Sequence, residues 1–317
     1  MQNELSVITE RSLDNYQPDL ISLLLADKRS NNTQMAYQKD LNNFFMLMTG
    51  HFPTSNSIMQ FLSLSQREAA EVVITYKSIL IQDNKTENTI NRRLAALRSL
   101  VKLARRMGHC DFDLKDIDSE TVTTYRDTSG VTLEQMKEIL AMPNTETFKG
   151  KRDYTLLRLL FENALRRNEA SSINIEDYEK ENKRIGILGK GKGTQKEWVS
   201  ISDKMIDAID DYLENRSEYQ KKDPLFITTD YRTRGRRLGG EGIRRIVRDY
   251  GADAGIKKAI SPHKLRHTAI TVALDNTNGD IRAVQQFSRH KKVETLMVYD
   301  DNRKNKQKDV TTLLSSL

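Results

Sequence analysis

Thr89–Met107, TINRRLAALRSLVKLARRM, is the stretch that decides the fold class of the N-terminal half. Ile90, Leu94, Leu97, Val101 and Ala104 recur three or four residues apart, the apolar stripe of an amphipathic helix, and Gly108 ends the pattern. The same period runs upstream. Leu20, Leu23 and Leu24 begin one helical segment; Tyr37, Leu41, Phe44, Phe45 and Met48 form a second, closed by Gly50. A third opens with Ser65 and Glu68 spaced as a capping box and continues through Val72, Val73, Tyr76 and Leu80. Helices with one apolar face must bury it against each other, so Gln17 to Gly108 reads as a small helical bundle, a domain over residues 15–110.

Around the stripe of the fourth helix stand Arg92, Arg93, Arg98, Lys102, Arg105 and Arg106. Such density fits a solvated face and fits equally a helix laid along DNA, with arginines on phosphates and guanine edges. The whole chain of 317 residues carries 51 Lys and Arg against 44 Asp and Glu, a net charge of +7, which leans weakly toward a partner made of phosphates. One cysteine, Cys110, excludes an internal disulfide, and no CxxC or Cys/His cluster is spaced for zinc. A reducing cytoplasm is expected. No basic region followed by an apolar core opens the chain, and Leu20 to Ala26 is too short to span a bilayer, so no membrane partner is expected.

Residues 111–130 lose the helical period, mix charges with threonines, and read as an interdomain linker. Thr132 and Gln135 mark a new helix start and open a second domain over 131–317. Its apolar spacing predicts helices near Tyr154–Ala164, Met205–Leu213, Ile243–Tyr250 and Lys264–Leu274. Strands are expected at Arg184–Leu188, Trp198–Ile201 and Leu225–Thr228. Gly189 to Gln195, GKGKGTQ, is the tip of a β-hairpin between the first two. The fold class is therefore mainly α with a small β-sheet in the C-terminal domain.

Histidines number five, and two fall in Ser261-Pro262-His263-Lys264-Leu265-Arg266-His267. Pro262 suits a first helical turn, which places His263 and Arg266 three apart on one face, able to clamp an anion together. His267 points elsewhere and is expected in the core. Further on come Ser288-Arg289-His290-Lys291-Lys292 and Leu296-Met297-Val298-Tyr299.

Together with Ala164-Leu165-Arg166-Arg167-Asn168-Glu169 and Gly189-Lys190-Gly191, these blocks resemble the tyrosine recombinases of the phage integrase family, of the Xer-like two-domain kind. His263 to Arg266 is similar to the family's His-x-x-Arg box. His290 stands nine residues before Tyr299, as the family's second His/Trp stands before its tyrosine. Ala164 to Glu169 resembles its Gly-Leu-Arg-x-x-Glu block. Thr33, Tyr37, Asp40, Leu41, Phe44 and the run Thr89 to Leu94 resemble its core-binding domain. Two departures stand out: Ser288-Arg289 where many relatives have Leu-Gly, and Ala164 in place of Gly.

The resemblance implies a helical SAM-like core-binding domain and a catalytic domain closing as a C-shaped clamp on DNA. It implies site-specific strand cleavage and rejoining through a 3′-phosphotyrosine, with strands exchanged via a Holliday junction during DNA integration or excision. Tyr299 is then the nucleophile, Arg166 and Arg266 the phosphate clamp, His263 the proton acceptor and His290 a donor to a nonbridging oxygen. Glu169 is expected to brace the Arg166 helix. The general acid falls on the hairpin, at Lys190 counting forward from Arg166, or at Lys192 counting back from Val199; Lys190 is preferred. DNA contacts are expected from Arg92, Arg93, Arg98, Lys102 and Lys192. No cofactor or metal is expected, since no GxSxG, HExxH or EF-hand spacing occurs. The implied partner is a duplex with inverted half-sites, bound by a homodimer and synapsed as a homotetramer. Val310, Leu313, Leu314 and Leu317 form a tail stripe that docks on its own core or, as the family implies, on a neighbour. A type IB-like topoisomerase and a decayed DNA-binding protein are the alternatives.

Overall fold

A computed structural model of the chain describes residues 19–122, 130–189, 195–303, 311, 312, 314 and 315. The chain divides into two compact units, Met1–Thr124 and Tyr125–Leu317.

The first unit is built from α1 (Leu20–Ala26), α2 (Asn31–Thr49), α3 (Ser55–Leu62), α4 (Gln66–Gln82) and α5 (Glu87–Arg106). The stop and start signals work as local chemistry dictates. Gly50 takes the left-handed conformation at φ 80° that ends α2 and returns its N–H to Met46 O. Ser65 and Glu68 cap α4 reciprocally. The Phe44 ring meets Phe45, Phe61 and Tyr76 edge-on, each at a centroid separation of 5.1 Å. Such pairs each add about 0.5–1.5 kcal/mol beyond their burial and fix how α2, α3 and α4 pack.

The segment expected to begin the linker differs. Cys110, Phe112, Leu114 and Ile117 are buried in the core of this first unit. Arg98 donates to Ile117 O and, at 3.4 Å, to Leu114 O. Apolar residues spaced by two or three in an extended chain carry no helical period, so their packing was not visible as a pattern.

The second unit holds α6 (Leu133–Ala141), α7 (Phe148–Glu162), α8 (Arg167–Ser172), α9 (Asp203–Glu214), α10 (Gly240–Asp253), α11 (Pro262–Asn276), α12 (Ile281–Ser288) and α13 (Glu294–Arg303). Its antiparallel sheet runs β1 (Tyr178–Glu179), β2 (Arg184–Leu188), β3 (Lys196–Ser200), with Ile185 opposite Val199 and Gly186 opposite Trp198. The mainly α class with a small sheet is as expected. Leu225–Thr228 joins no strand of the sheet. It pairs locally instead, through a bridge of Ile227 with Arg237 and the bond from Leu225 N to Ile173 O.

The larger core of this unit gathers Leu156, Leu160, Leu165, Ile185, Ile209, Tyr212, Phe226 and Ile243. A smaller one, under the helices that carry the site, contains Ala164, Ala269, Ile270, Leu274, Val284, Leu296 and Tyr299.

Candidate active site

α7 ends at Glu162, the chain turns through Asn163 and Ala164, and α8 starts at Arg167. Ala164 takes a positive φ of 45°, a conformation that favours glycine. This turn sets Arg166 as the N-cap of α8. The Glu169 carboxylate accepts the Arg166 backbone N–H at 2.9 Å and the Arg166 Nη1 at 2.6 Å, so the helix cap also holds the guanidinium. The bracing role expected of Glu169 thus has a direct geometric form.

α11 supplies the next groups. Ser261 caps it, Pro262 occupies its first turn, and His263, Arg266 and His267 follow. Arg266 is 1% exposed. Its Nη1 donates to Ala164 O and its Nη2 to Ser288 O, and Nη2 also lies 3.3 Å from His290 Nε2. Burial and the neighbouring guanidiniums of Arg166 and Arg289 push its pKa down to about 9. It is still a cation near neutral pH, held where water stabilises it poorly.

His290 follows the left-handed Arg289 that ends α12. Its Nδ1 lies 2.9 Å from Ser288 Oγ, a buried hydroxyl able to donate or accept there. Burial first, then the charges of Arg266, Arg166, Arg289 and His263, drive the His290 pKa down to about 3, leaving a neutral ring at pH 7.

Tyr299, on α13, is 4% exposed and belongs to the smaller core. Its ring lies 6.0 Å from His290 and 5.0 Å from His267, centre to centre. His267 is buried as expected, and it also stands edge-on to both the His263 ring, at 4.2 Å, and Tyr299. His263 is exposed at the start of α11. The structure therefore brings Arg166, His263, Arg266, His290 and Tyr299 together. Lys190 and Lys192 lie outside the described residues; β2, which leads to them, packs on α8.

Three features were missed in the sequence. Arg289 points inward and is a third guanidinium of the site, 3.4 Å from Glu169 Oε2. Ser288 supports His290, and His267 touches Tyr299. The departures at Arg289 and Ala164 both fall at positive φ, 57° and 45°, a backbone demand that no local spacing signals. A pocket of about 310 Å³ opens beside His290, lined by Glu197 of β3, Arg282, Gln285, Arg289 and Lys291. Among the described residues no group of three or more His, Cys, Asp or Glu is placed to hold a metal ion.

In the first unit, Arg92 pairs with the buried Asp40, and Arg93 bonds Asn43 Oδ1. Arg98 is engaged with the backbone of 114–117 and, at 3.2 Å, with Ser119 Oγ. Lys102 is exposed. Of the tail stripe, Leu314 is exposed, and Val310, Leu313 and Leu317 lie outside the described residues. No helix among the described residues is long and apolar enough to cross a membrane.

Residues 130–306 match the model of the Phage integrase family, and residues 13–108 that of the phage integrase N-terminal SAM-like domain. A tyrosine recombinase of Synechococcus elongatus is 43% identical over 100% of this chain and 99% of its own length. A second, from Synechocystis, is 42% identical over 96% and 97%. Tyrosine recombinase XerD of Staphylococcus haemolyticus is 27% identical over 85% and 88%. Among solved structures, XerH site-specific recombinase bound to a palindromic difH substrate aligns with a TM-score of 0.60 at 17% identity, covering 93% of this chain and 95% of that one. A lambda integrase dimer bound to a COC′ core site aligns at 0.62 and 12%, covering 90% and 93%.

Proposed function

The chain belongs to the phage integrase family and is a tyrosine site-specific recombinase, and on that premise we propose that Tyr299 opens a DNA phosphodiester and carries the strand as a covalent intermediate. The observation that supports the assignment most is the charge of the site. Three guanidiniums, Arg166, Arg266 and Arg289, gather around the buried Glu169 carboxylate, and the His290 ring lies between Arg266 and the Tyr299 ring. Such a group is under-neutralised until an anion enters, and a phosphate passing through a more negative transition state completes it best.

The phenol oxygen of Tyr299 attacks phosphorus, a 3′-phosphotyrosyl bond forms, and the bond to the 5′ oxygen breaks. A free phenol has a pKa near 10, so surrounding cations and a proton acceptor must favour phenolate. His263 takes that proton. Arg166 and Arg266 hold the nonbridging oxygens with forked N–H pairs. His290, neutral before DNA arrives, donates from Nε2 in the tautomer whose Nδ1 accepts from the Ser288 hydroxyl. Lys190, two residues beyond β2, protonates the leaving 5′ oxygen; Lys192 is the alternative acid. Attack by the 5′ hydroxyl of another strand reverses every step and joins the strands, passing through a Holliday junction.

DNA is the substrate, and two inverted half-sites would seat a homodimer, four protomers making the synapse, with the C-terminal tail docking on a neighbour. The exposed face of α5 meets the duplex through Lys102 and, once it exchanges its pairing with Asp40, Arg92. Arg93 and Arg98 reach DNA only by exchanging their present partners, so they rank below Lys102 as phosphate contacts. Residues 15–110 are then the core-binding domain and 131–317 the catalytic domain, joined through 111–130, whose first residues pack on the core-binding unit. The work is done in the cytoplasm on chromosomal or mobile-element DNA. A topoisomerase reading is not favoured, because the SAM-like N-terminal match and the named relatives are those of recombinases.

The test uses a pool of nicked duplexes with randomised inverted half-sites, incubated with the protein in EDTA. A protease-sensitive covalent adduct is expected with wild type and none with Tyr299→Phe. An adduct that survives Tyr299→Phe refutes the proposal.

A further inference from the structure

Arg289 plays no part in the steps above, yet it occupies the middle of the site. Its backbone is left-handed, φ 57° and ψ 37°, a region that residues with a β-carbon rarely adopt. Its side chain turns inward and is 7% exposed, which removes a charge from water. Two unfavourable features in one residue persist only where the surroundings over-determine them. Here they do. Nη1 donates to Phe287 O at 2.7 Å; Nη2 donates to Asn163 O at 3.0 Å and Ala164 O at 3.2 Å, and approaches Glu169 Oε2 at 3.4 Å. The cation thus sits on the C-terminal ends of both α7 and α12, where carbonyls lack helical partners.

Two of those acceptors are shared. The Ala164 carbonyl also takes Arg266 Nη1, and the Glu169 carboxylate also takes Arg166. We infer that Arg289 is a positioning residue of strand cleavage, holding the Ala164 carbonyl and the Glu169 carboxylate where they aim Arg266 and Arg166 at the phosphate. The inference rests on the recombinase reading for what the two arginines are aimed at. Because the backbone is left-handed, Arg289→Gly relaxes it while deleting the guanidinium, so folding and rate separate in this one variant.

The experiment compares wild type, Arg289→Gly and Arg289→Lys on the duplex that wild type selects from the randomised pool. Single-turnover cleavage in the glycine variant is expected to fall roughly 100-fold, as for a misplacement of about 1 Å at a reacting centre. DNA affinity stays near wild type, and the melting temperature falls through loss of the bonds to Phe287 O, Asn163 O and Ala164 O while the protein remains folded at the assay temperature. Lysine, or free guanidinium at non-denaturing concentration, restores part of the rate, which a helix-end cap of purely structural importance would not show. An independent readout is the Nε resonances of Arg166 and Arg266 in DNA-free protein, both expected to shift in Arg289→Gly. Wild-type cleavage by the glycine variant, a rate loss that tracks only its melting temperature, or unshifted Arg166 and Arg266 resonances overturns the inference. A wild type that forms no adduct on any duplex refutes the recombinase chemistry instead, and the resonances then decide the positioning claim alone.

Discussion

Glu169→Gln removes the buried carboxylate that contacts Arg166 and Arg289 while keeping shape. In the wild type the carboxylate accepts the Arg166 N–H and Nη1 and lies within 3.4 Å of Arg289 Nη2. Taking away the partner of a buried cation costs about 3–5 kcal/mol when the charge is stranded. Arg166 is not stranded: its side chain is 32% exposed and rehydrates, so its share is discounted. Arg289, at 7%, stays buried and loses its nearest counter-charge, with Glu197 left as the more distant one. The amide oxygen of Gln keeps one acceptor for the α8 cap. The balance is a loss of about 2–4 kcal/mol, centred on the charged hydrogen bonds to Arg289 and Arg166. For a unit of this size that lowers the melting temperature by roughly 5–15 °C. Sulfate or DNA, which supplies the missing negative charge, should then raise the variant's melting temperature more than the wild type's. Differential scanning calorimetry with and without sulfate measures both effects. If the variant melts with the wild type, or sulfate stabilises the two equally, Glu169 is not what neutralises the site.

His290 gives stability a pH signature. Its pKa falls from 6.5 to about 3 on folding, so the unfolded chain binds the extra proton between those values and stability drops as pH falls through that window. Urea midpoints from pH 7 down to pH 4 should decline less steeply in His290→Asn; equal slopes would show that another group sets the dependence. In the first unit, Arg98→Ala removes the bonds to Leu114 O and Ile117 O and should cost about 1.5–3 kcal/mol. Limited proteolysis should then cut within residues 111–120, and resistance equal to wild type contradicts the packing role. Gly130→Ala places a β-carbon 2.1 Å from Thr268 Oγ1 and 2.8 Å from its N. It should cost about 1–3 kcal/mol and break the 2.8 Å bond from Val131 N to Thr268 Oγ1; an unchanged urea midpoint refutes the clash.

The long helices were legible because α2, α4 and α5 each bury one stripe and announce their ends with Gly50, Ser65 with Glu68, and Gly108. The candidate site was legible in a different way. Arg166, His263, Arg266, His290 and Tyr299 are fixed by block order and spacing, and nothing around Tyr299 alone marks it out from a core tyrosine. What escaped has physical reasons. α8 and α12 have six and eight residues, too few for a period to emerge. β1 has two residues. Phe112, Leu114 and Ile117 pack from an irregular segment. Arg289 escaped because burying a cation depends on acceptors from Asn163 and Ala164, more than a hundred positions away in the chain. The αL backbone that lets it turn inward has no signature in an arginine.

The central claim is that Tyr299 bears the DNA. Trypsin and nuclease digestion of the adduct trapped on a nicked duplex should release Val293–Arg303 carrying a 3′-linked nucleotide, with fragment ions placing it on the Tyr299 oxygen. Nucleotide mass on any other residue, or on this peptide at a position other than Tyr299, contradicts the account.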